Sequence, residues 1–338
     1  MKINYWDFYM HCISYSKFGP SDKVLKLEEI PNPVPSIDEV LIKIRFSGVN
    51  PSDAKSRAGV RPGILKPEFE KIIPNSDGSG TIIEVGENIN KSRIGERVWI
   101  WNAQWKRAYG TAAEFVCLPS KQAIKMPDKM PFEIGACLGI PGLTAAQCVL
   151  EDETLDGKAV LISGGAGSVG NIAVQLAKWS GAEVIATGSP ENFDYIKKAG
   201  ADHILDYNDP DLSTKILTIA PTGVDKMIEV EFGVNIDLAH QITKPNGTVS
   251  IFGSAKNMRP SIPFGNYLFK ALTLRLVLIY ILPYQKRLTA INYLHDAFEA
   301  QALNPSIDMI YNLSECSKAH DHSLESGRKG AILLQLFN

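Results

Sequence analysis

The sequence predicts an α/β protein with two domains, a small irregular β-barrel and an inserted, doubly wound parallel sheet. The first third of the chain consists of short β-type segments separated by turns such as PNPVPS, NPSD and PNSDGSG. From about Pro131 onward, β-branched strands alternate with segments that carry apolar residues at helical spacing. The chain of 338 residues is also longer than a single core usually supports, about 250–300 residues.

The elements follow from these two patterns. In the first domain we predict strands at 11–16, 24–30, 40–46, 80–85, 97–101 and 114–118. In the second we predict strands at 159–162, 183–187, 203–205, 226–230, 248–252 and 274–279, with helices at 169–180, 192–199, 211–219 and 236–243. A last amphipathic helix at 284–303 precedes a β-like tail at 331–337. We therefore expect the tail to return to the first domain, which would comprise 1–132 and 290–338, around an inserted domain of 133–289.

Composition excludes several classes of protein. Hydrophobic residues make up 45% and charged residues 21% of the chain, and the net charge of −2 gives no electrostatic case for binding nucleic acid or a membrane surface. We expect no transmembrane segment and no secretory signal, and residues 1–9 add so little to the pattern that Met10 is a second candidate for the start. The five cysteines form no CxxC pair and indicate reduced thiols, so we expect a cytoplasmic protein. The cluster His320-Asp321-His322 is predicted to be a polar surface loop rather than a metal site.

A glycine-rich turn carries the most specific signal. Gly165-Ala166-Gly167-Ser168-Val169-Gly170 matches G-x-G-x-x-G, follows an apolar strand and opens a helix. Such glycines allow the amides at the start of a helix to approach a pyrophosphate. The alternative, a plain tight turn, does not require this strand–turn–helix context. We therefore predict a dinucleotide site.

The end of the second strand indicates which dinucleotide binds. NAD-binding sites place a carboxylate there for the ribose 2′-hydroxyl, whereas this chain has Thr187-Gly188-Ser189. Ser189 and Pro190 are typical of a helix start, with Glu191 and Asn192 in its first turn. Hydroxyl and amide groups would accept a 2′-phosphate, so we expect NADPH as the cofactor, with Ser189 and Asn192 among its ligands. No Arg or Lys lies beside Ser189 to strengthen that preference.

The chain resembles the medium-chain dehydrogenase/reductase superfamily, and within it the zinc-independent NADPH:quinone oxidoreductases, the zeta-crystallin-like group. The resemblance covers nearly the whole chain and rests on GVNPSDAKSRAG (48–59), PNSDGSGTIIEVG (74–86), GTAAEFV (110–116), ACLGIPGLTAAQCV (136–149), the glycine turn, AGADHILDY (199–207) and IEVEFGVN (228–235). It implies a GroES-like catalytic barrel with an inserted Rossmann domain.

The resemblance also implies that no metal takes part. Metal-bearing relatives have a Cys at the start of the segment Asn50-Pro51-Ser52-Asp53 and a His in a G-H-E motif where this chain has Ser76-Asp77-Gly78. The four-cysteine lobe that those relatives carry after Gly95-Glu96-Arg97-Val98 is absent from this sequence as well. Without these ligands zinc cannot act as a Lewis acid on an alkoxide. The implied reaction is hydride delivery to a quinone or to a double bond conjugated with a carbonyl.

The resemblance assigns individual roles. Asn50 would face the nicotinamide end and Asp53 the polar rim, although the same four residues would also suit an Asx-type turn. Thr144 would line the nicotinamide ribose, Tyr207 would lie near the adenine, and Ser254 would be a further cofactor contact. A helical Thr and a buried strand-end Tyr remain the plain alternatives.

The sequence departs from the family at two positions. Some members carry tyrosines five and eleven residues after the Asn, where this chain has Lys55 and Arg61, with Arg57 nearby. These cations would attract an anionic acceptor or stabilise an enolate, or they are solvated loop charges.

Three functions remain open. The leading hypothesis is an NADPH-dependent quinone reductase, followed by an NADPH-dependent reductase of α,β-unsaturated carbonyls and then by a non-catalytic NADPH-binding protein. In each case the predicted strand 274–279 would leave an apolar sheet edge, so we expect a homodimer formed through the dinucleotide domains.

Overall fold

The computed structural model describes residues 8–60, 63–150 and 154–336. The chain forms two compact units, Met1–Ile140 with Ile307–Asn338, and Pro141–Ser306. The strands within the described residues are β1 Tyr9–Ser14, β2 Lys26–Pro31, β3 Glu39–Val49, β4 Asp77–Val85, β5 Arg97–Ile100, β6 Phe115–Pro119, β7 Ala123–Lys125, β8 Ala159–Ile162, β9 Glu183–Gly188, β10 His203–Asp206, β11 Val224–Glu229, β12 Thr243–Ile251, β13 Thr273–Leu276, β14 Ile307–Asn312 and β15 Ala331–Gln335.

The helices of the described residues are mostly short. They are α1 Ser21–Val24, α2 Pro51–Ala58, α3 Phe132–Gly135, α4 Leu143–Val149, α5 Ser168–Trp179, α6 Phe193–Lys198, α7 Leu212–Ile219, α8 Phe232–Ile242, α9 Phe264–Phe269, α10 Tyr284–Glu299 and α11 Cys316–His322. None of the helices in this part of the chain is long and apolar enough to cross a membrane.

The first unit is organised around the long strand β3. Its sheet runs in the order β14-β15-β3-β4-β5-β7, with β6 also paired to β3, and β1 and β2 form a separate antiparallel pair. Apolar side chains of β3, β4, β5 and β6 pack into one core, which includes Val40, Ile42, Ile44, Ile82, Val98, Ile100, Val116 and Leu118. At Gly80 any Cβ would lie 2.1 Å from the Lys43 carbonyl oxygen. Glycine is therefore what allows β4 to cross so close to β3.

The second unit contains a parallel sheet in the order β10-β9-β8-β11-β12-β13. Its strands are apolar because helices cover a parallel sheet on both faces, and Leu161, Ile185, Met227 and Val249 are fully buried. The order changes direction between β8 and β11, the point at which open α/β sheets bind ligands beyond the carboxyl ends of their strands. The predicted fold class, a β-barrel unit plus a doubly wound parallel sheet, is confirmed.

The prediction of a surface loop at His320-Asp321-His322 was wrong. These residues lie in α11, where the His320 side chain is completely buried. Its Nε2 hydrogen-bonds to Asn75 Oδ1 at 3.0 Å, so a long-range polar contact holds the imidazole inside the first unit. Burial, and then the positive charge of Arg57, lower the pKa of His320 to about 3.

This pKa makes the protein sensitive to acid. In the unfolded chain the imidazole returns to its ordinary pKa of 6.5, so between pH 6.5 and about 3 the unfolded state binds more protons. The stability that the neutral, buried His320 allows is therefore complete above pH 6.5 and is lost as the pH falls from 6.5 towards 3. We expect urea denaturation to show that, between pH 7 and pH 5, the free energy of unfolding falls by about 2 kcal/mol more for wild type than for His320→Gln. Gln keeps an N–H donor but does not titrate; equal losses in both proteins would contradict the assignment.

Candidate functional site

The glycine turn lies between β8 and α5, as predicted. Two hydrogen bonds tie it to the next strand: Gly165 N donates to the Thr187 carbonyl oxygen at 2.8 Å, and Gly164 N donates to Thr187 Oγ1 at 3.2 Å. Gly167 precedes the helix as its N-cap residue. The first amides of a helix have no partner within the helix and carry its partial positive charge. The turn can therefore receive the pyrophosphate of a dinucleotide.

Close packing requires one glycine of the turn and favours a second. A Cβ on Gly170 would lie 2.1 Å from the Gly164 carbonyl oxygen, and one on Gly165 would lie 3.0 Å from Ala186 Cβ. Gly167 differs, because its Cβ would meet only the Gly164 oxygen at 3.5 Å and its φ is −69°. The fold itself would accept alanine at 167, so packing within the chain does not account for the glycine at this position. These features fit a nicotinamide dinucleotide.

Small polar groups cluster at the end of β9. Ser189 precedes a 3₁₀ turn at Pro190–Asn192, and Asn192 Nδ2 donates to Ser189 Oγ at 3.2 Å. Tyr207 N donates to the Gly188 carbonyl oxygen at 3.3 Å, which holds the tyrosine beside this cluster with its ring half exposed. The predicted residues Ser189, Asn192 and Tyr207 are thus brought together at one end of the sheet.

The remaining two cofactor candidates lie elsewhere in the second unit. Thr144 is buried in α4, which packs against α5, the helix that follows the glycine turn. Ser254 Oγ accepts a hydrogen bond from Gly233 N at 2.8 Å and donates to the Asn257 carbonyl oxygen. The Ser254 hydroxyl therefore stabilises its own loop and the start of α8.

Sequence analysis missed a buried carboxyl at the point where the strand order reverses. Glu229 ends β11 with no exposed surface, and its Oε1 accepts from Asn235 Nδ2 at 3.0 Å, from Ser163 Oγ at 3.4 Å and from Glu231 N. Burial raises the pKa of Glu229 above its usual value. The carboxyl thereby links the ends of β8 and β11. An acidic residue closing the strand VDKMIE, which is predicted to lie inside the sheet, was the signal that could have revealed it.

Asn50 and Asp53 lie at the start of α2 in the first unit. Asp53 Oδ2 accepts a hydrogen bond from Asn50 N at 2.9 Å, forming a capping box, and Pro51 occupies the first helical turn. The segment is therefore a helix start and not an isolated Asx turn. Both side chains are buried, with Asn50 5% exposed.

A second missed carboxyl, Asp77, holds the Asn50 side chain. Asn50 Nδ2 donates to Asp77 Oδ2 at 2.7 Å, and Ile140 N donates to the same oxygen at 2.8 Å. Asp77 is completely buried, and this burial, followed by the charge of Asp53, raises its pKa well above the usual range. The contact joins residues 27 positions apart, so no local pattern could have indicated it.

The three candidate cations differ in their surroundings. Lys55 is half buried on α2 and makes no side-chain hydrogen bond or ion pair with the residues that the structure describes. Arg57 is buried: its guanidinium donates to the Gly19 carbonyl oxygen and lies 3.6 Å from Asp321 Oδ1. The expectation of a solvated loop charge is therefore wrong for Arg57, which ties α2 to α11. Arg61 lies outside the described residues.

Within the described ranges, no group of three or more His, Cys, Asp or Glu side chains is placed to hold a metal ion.

Substitution of Gly170 should weaken cofactor binding. In Gly170→Ala the new methyl group would displace the Gly164 carbonyl, so we expect at least a tenfold loss of affinity for a reduced nicotinamide dinucleotide in a fluorescence titration. Gly265→Ala is the matched control, because its Cβ has no neighbour within 4 Å. Gly167→Ala should fold normally and still bind more weakly. Wild-type affinity in Gly170→Ala would show that the turn does not hold the cofactor.

Comparison with known proteins places these features in a family. Residues 36–128 match the family "Alcohol dehydrogenase GroES-like domain" and residues 168–292 the family "Zinc-binding dehydrogenase". The chain is 29% identical over 332 residues to the quinone oxidoreductase of Sus scrofa, covering 97% of this chain and 98% of that protein. It is 35% identical over 209 residues to a chloroplastic quinone-oxidoreductase homolog of Spinacia oleracea, covering 60% of this chain and 62% of the relative.

A solved structure agrees with these relatives. A mycobacterial protein complexed with NADPH superposes with a TM-score of 0.85 at 26% identity, covering 97% of this chain and all of that one. The chain belongs to the medium-chain dehydrogenase/reductase superfamily, in its quinone oxidoreductase group.

Proposed function

We propose that this protein is an NADPH-dependent quinone reductase that transfers hydride without a metal. The observation that carries the proposal is the Asn50–Asp77 hydrogen bond of 2.7 Å. Where metal-bearing relatives have a thiolate ligand, this chain has a buried amide held by a carboxyl group. An amide N–H suits an acceptor that needs only a hydrogen bond to its oxygen, such as a quinone.

NADPH is the cofactor we propose. The support is the glycine turn, the cluster Ser189 and Asn192 without a carboxylate at the end of β9, and the NADPH complex of the mycobacterial neighbour. Gly165 to Gly170 would hold the pyrophosphate with backbone amides, and Ser189 and Asn192 the 2′-phosphate. Tyr207 would contact the adenine side, Thr144 the nicotinamide ribose, and Ser254 the cofactor through its loop.

In this reaction the protein would bind NADPH, orient the acceptor and stabilise the negative charge that develops on the acceptor oxygen. When bound, NADPH supplies the hydride. Asn50 would donate its second Nδ2–H to the acceptor oxygen as that oxygen gains negative charge, and the Lys55 ammonium would stabilise the same charge. Asp53 keeps Asn50 at the start of α2, and water would supply the proton that completes the hydroquinone.

The five cysteines are all free thiols, which supports a reducing compartment, the cytoplasm.

The activity is tested by following loss of nicotinamide absorbance with NADPH or NADH and either a simple benzoquinone or an alkenal. We expect the highest kcat/KM for NADPH with the quinone, unchanged by a metal chelator. Ser189→Asp should lower kcat/KM for NADPH at least tenfold, because its carboxylate would repel the 2′-phosphate, and should spare NADH. Ser189→Ala, which adds no charge, is the control, and its kcat/KM for NADPH should fall less than that of Ser189→Asp.

The other outcomes of this assay are equally specific. Turnover with the alkenal alone would make the protein a reductase of α,β-unsaturated carbonyls. NADPH binding without turnover of either acceptor would leave a non-catalytic NADPH-binding protein. Loss of activity with the chelator would contradict the metal-free reaction.

We also propose that a second copy of the chain covers the β13 edge of the second unit. Large apolar side chains are exposed on and around this edge strand, with Phe269 90% and Leu276 79% exposed. An unpaired apolar strand edge favours pairing with an identical edge.

Light scattering at micromolar concentration should give the mass of a dimer for wild type and of a monomer for Leu276→Lys, because a charge on the edge disfavours pairing. Leu65→Lys is the matched control, since it adds the same charge at an exposed leucine of the first unit, which does not contain β13. A monomeric wild type would contradict the proposal.

A further inference from the structure

The amide of Asn50 can adopt only one orientation. Asp77 Oδ2 accepts from both Asn50 Nδ2 and Ile140 N, so its two acceptor positions are occupied and any proton on the carboxyl must lie on Oδ1. A flipped Asn50 would place its own oxygen against this acceptor oxygen. The orientation is therefore the same whether Asp77 is charged or neutral.

Asp77 is itself held in place. A Cβ on Gly139 would lie 2.0 Å from Asp77 Oδ1, so Gly139 leaves room for the carboxyl and for nothing larger. The Asp77 carbonyl oxygen accepts from Thr111 Oγ1. Rotation of the carboxyl would break both hydrogen bonds of Oδ2 and meet the backbone at 139.

The anchoring hydrogen bonds continue through the first unit. Because Thr111 donates to Asp77, Ser47 Oγ must donate to Thr111 Oγ1 at 2.8 Å; it accepts from Asn75 Nδ2 at 2.9 Å. Asn75 Oδ1 in turn lies 3.0 Å from His320 Nε2, so this nitrogen carries the imidazole proton. The chain of donors thus has a single direction from α11 to the first residue of β4.

The arrangement lowers stability. Asp77 Oδ1 has no hydrogen-bond partner among the described residues, although the whole side chain is buried. An unsatisfied buried carboxyl oxygen is costly, and a well-packed apolar side chain would avoid that cost. Groups that destabilise the fold in this way are characteristic of functional sites.

We propose that Asp77 is the positioning residue of Asn50: it fixes one amide N–H so that the other is presented to the acceptor oxygen. This inference rests on the proposed function, in which Asn50 serves the acceptor. Asp77 itself need not touch the substrate or the cofactor. Its effect on catalysis should pass entirely through Asn50.

A double-mutant cycle tests this pathway. Asp77→Ala should lower kcat about 10- to 100-fold, as expected for a misplaced catalytic group, and leave NADPH affinity unchanged. In an Asn50→Ala background the same substitution should change kcat by less than about twofold, because the group that it positions is gone. Asp77→Asn, whose amide oxygen can accept both hydrogen bonds, should restore kcat to within about threefold of wild type. Additive losses in the double variant would overturn the proposal.

The matched control is Ser79→Ala. Ser79 lies two residues further along β4, is completely buried, and its hydroxyl donates to the Phe132 carbonyl oxygen at 2.6 Å, not to Asn50. It should lose stability while keeping kcat. A loss of kcat in Ser79→Ala equal to that in Asp77→Ala would indicate general damage to the unit.

A second readout is independent of turnover. In protein labelled with ¹⁵N-asparagine, the side-chain amide signal that is missing in Asn50→Ala should show a strong downfield shift in wild type and Asp77→Asn and an ordinary shift in Asp77→Ala. If wild type reduces no acceptor but shows the shifted signal, the proposed function fails while the positioning contact stands. If wild type turns over and the signal is ordinary, the inference fails while the function stands. Should Asp77→Ala not fold, wild type and Asp77→Asn still decide the outcome.

Discussion

A carboxyl group without access to solvent determines the arrangement of the first unit's polar cluster. Burying a carboxyl of this kind costs several kcal/mol unless hydrogen bonds replace water. Asp77 receives two such bonds, from Asn50 and from the backbone of Ile140. The residues around it are also limited in size: a Cβ on Gly139 would lie 2.0 Å from Asp77 Oδ1, and one on Gly48 would lie 2.7 Å from the Ala136 carbonyl oxygen and 3.0 Å from Asp77 Cβ. Sequence positions far apart in the chain are thus constrained by one group.

In the second unit, backbone atoms rather than a buried carboxyl determine the arrangement of the glycine turn. Its glycine turn is held against Thr187 by two hydrogen bonds, and Gly170 allows α5 to begin directly on the Gly164 carbonyl. Near the switch between β8 and β11 a buried side chain, Glu229, takes a comparable part. The two units therefore use their buried carboxyls similarly, to join segments that the sequence keeps apart.

The fold was predictable from the sequence because its signals are local. Strand alternation, turn residues and helical periodicity gave the order of elements, and the strand–turn–helix context gave the glycine turn. Boundaries shifted where pairing continued beyond the apolar run: β12 begins at Thr243, which pairs with Val224. The strand β14 was not predicted, because it acquires its conformation by pairing with β15. Asn50-Pro51-Ser52-Asp53 has the composition of a turn as well as of a helix start, and the capping box decided between them.

The candidate site was predictable only in part. Asn50, Asp53 and the turn residues belong to recognisable motifs. Asp77, Glu229 and His320 owe their roles to contacts with residues 27, 66 and 245 positions away. Composition also misjudged Arg57, which is buried between Gly19 and Asp321 instead of being solvated. A polar residue in a polar stretch reveals nothing about burial, and burial is what gives these groups their chemistry.

Metal-free transfer of hydride from the nicotinamide to a quinone is tested most directly by an isotope effect. The rate of NADPH oxidation would be compared for cofactor carrying deuterium on either face of nicotinamide C4, with benzoquinone present and with the metal content of the enzyme determined. Direct transfer from a cofactor bound in one orientation predicts slower oxidation for one of the two deuterated forms, in metal-free enzyme. Equal rates for both deuterated forms and unlabelled NADPH in single-turnover measurements, or activity that follows metal content, would contradict it.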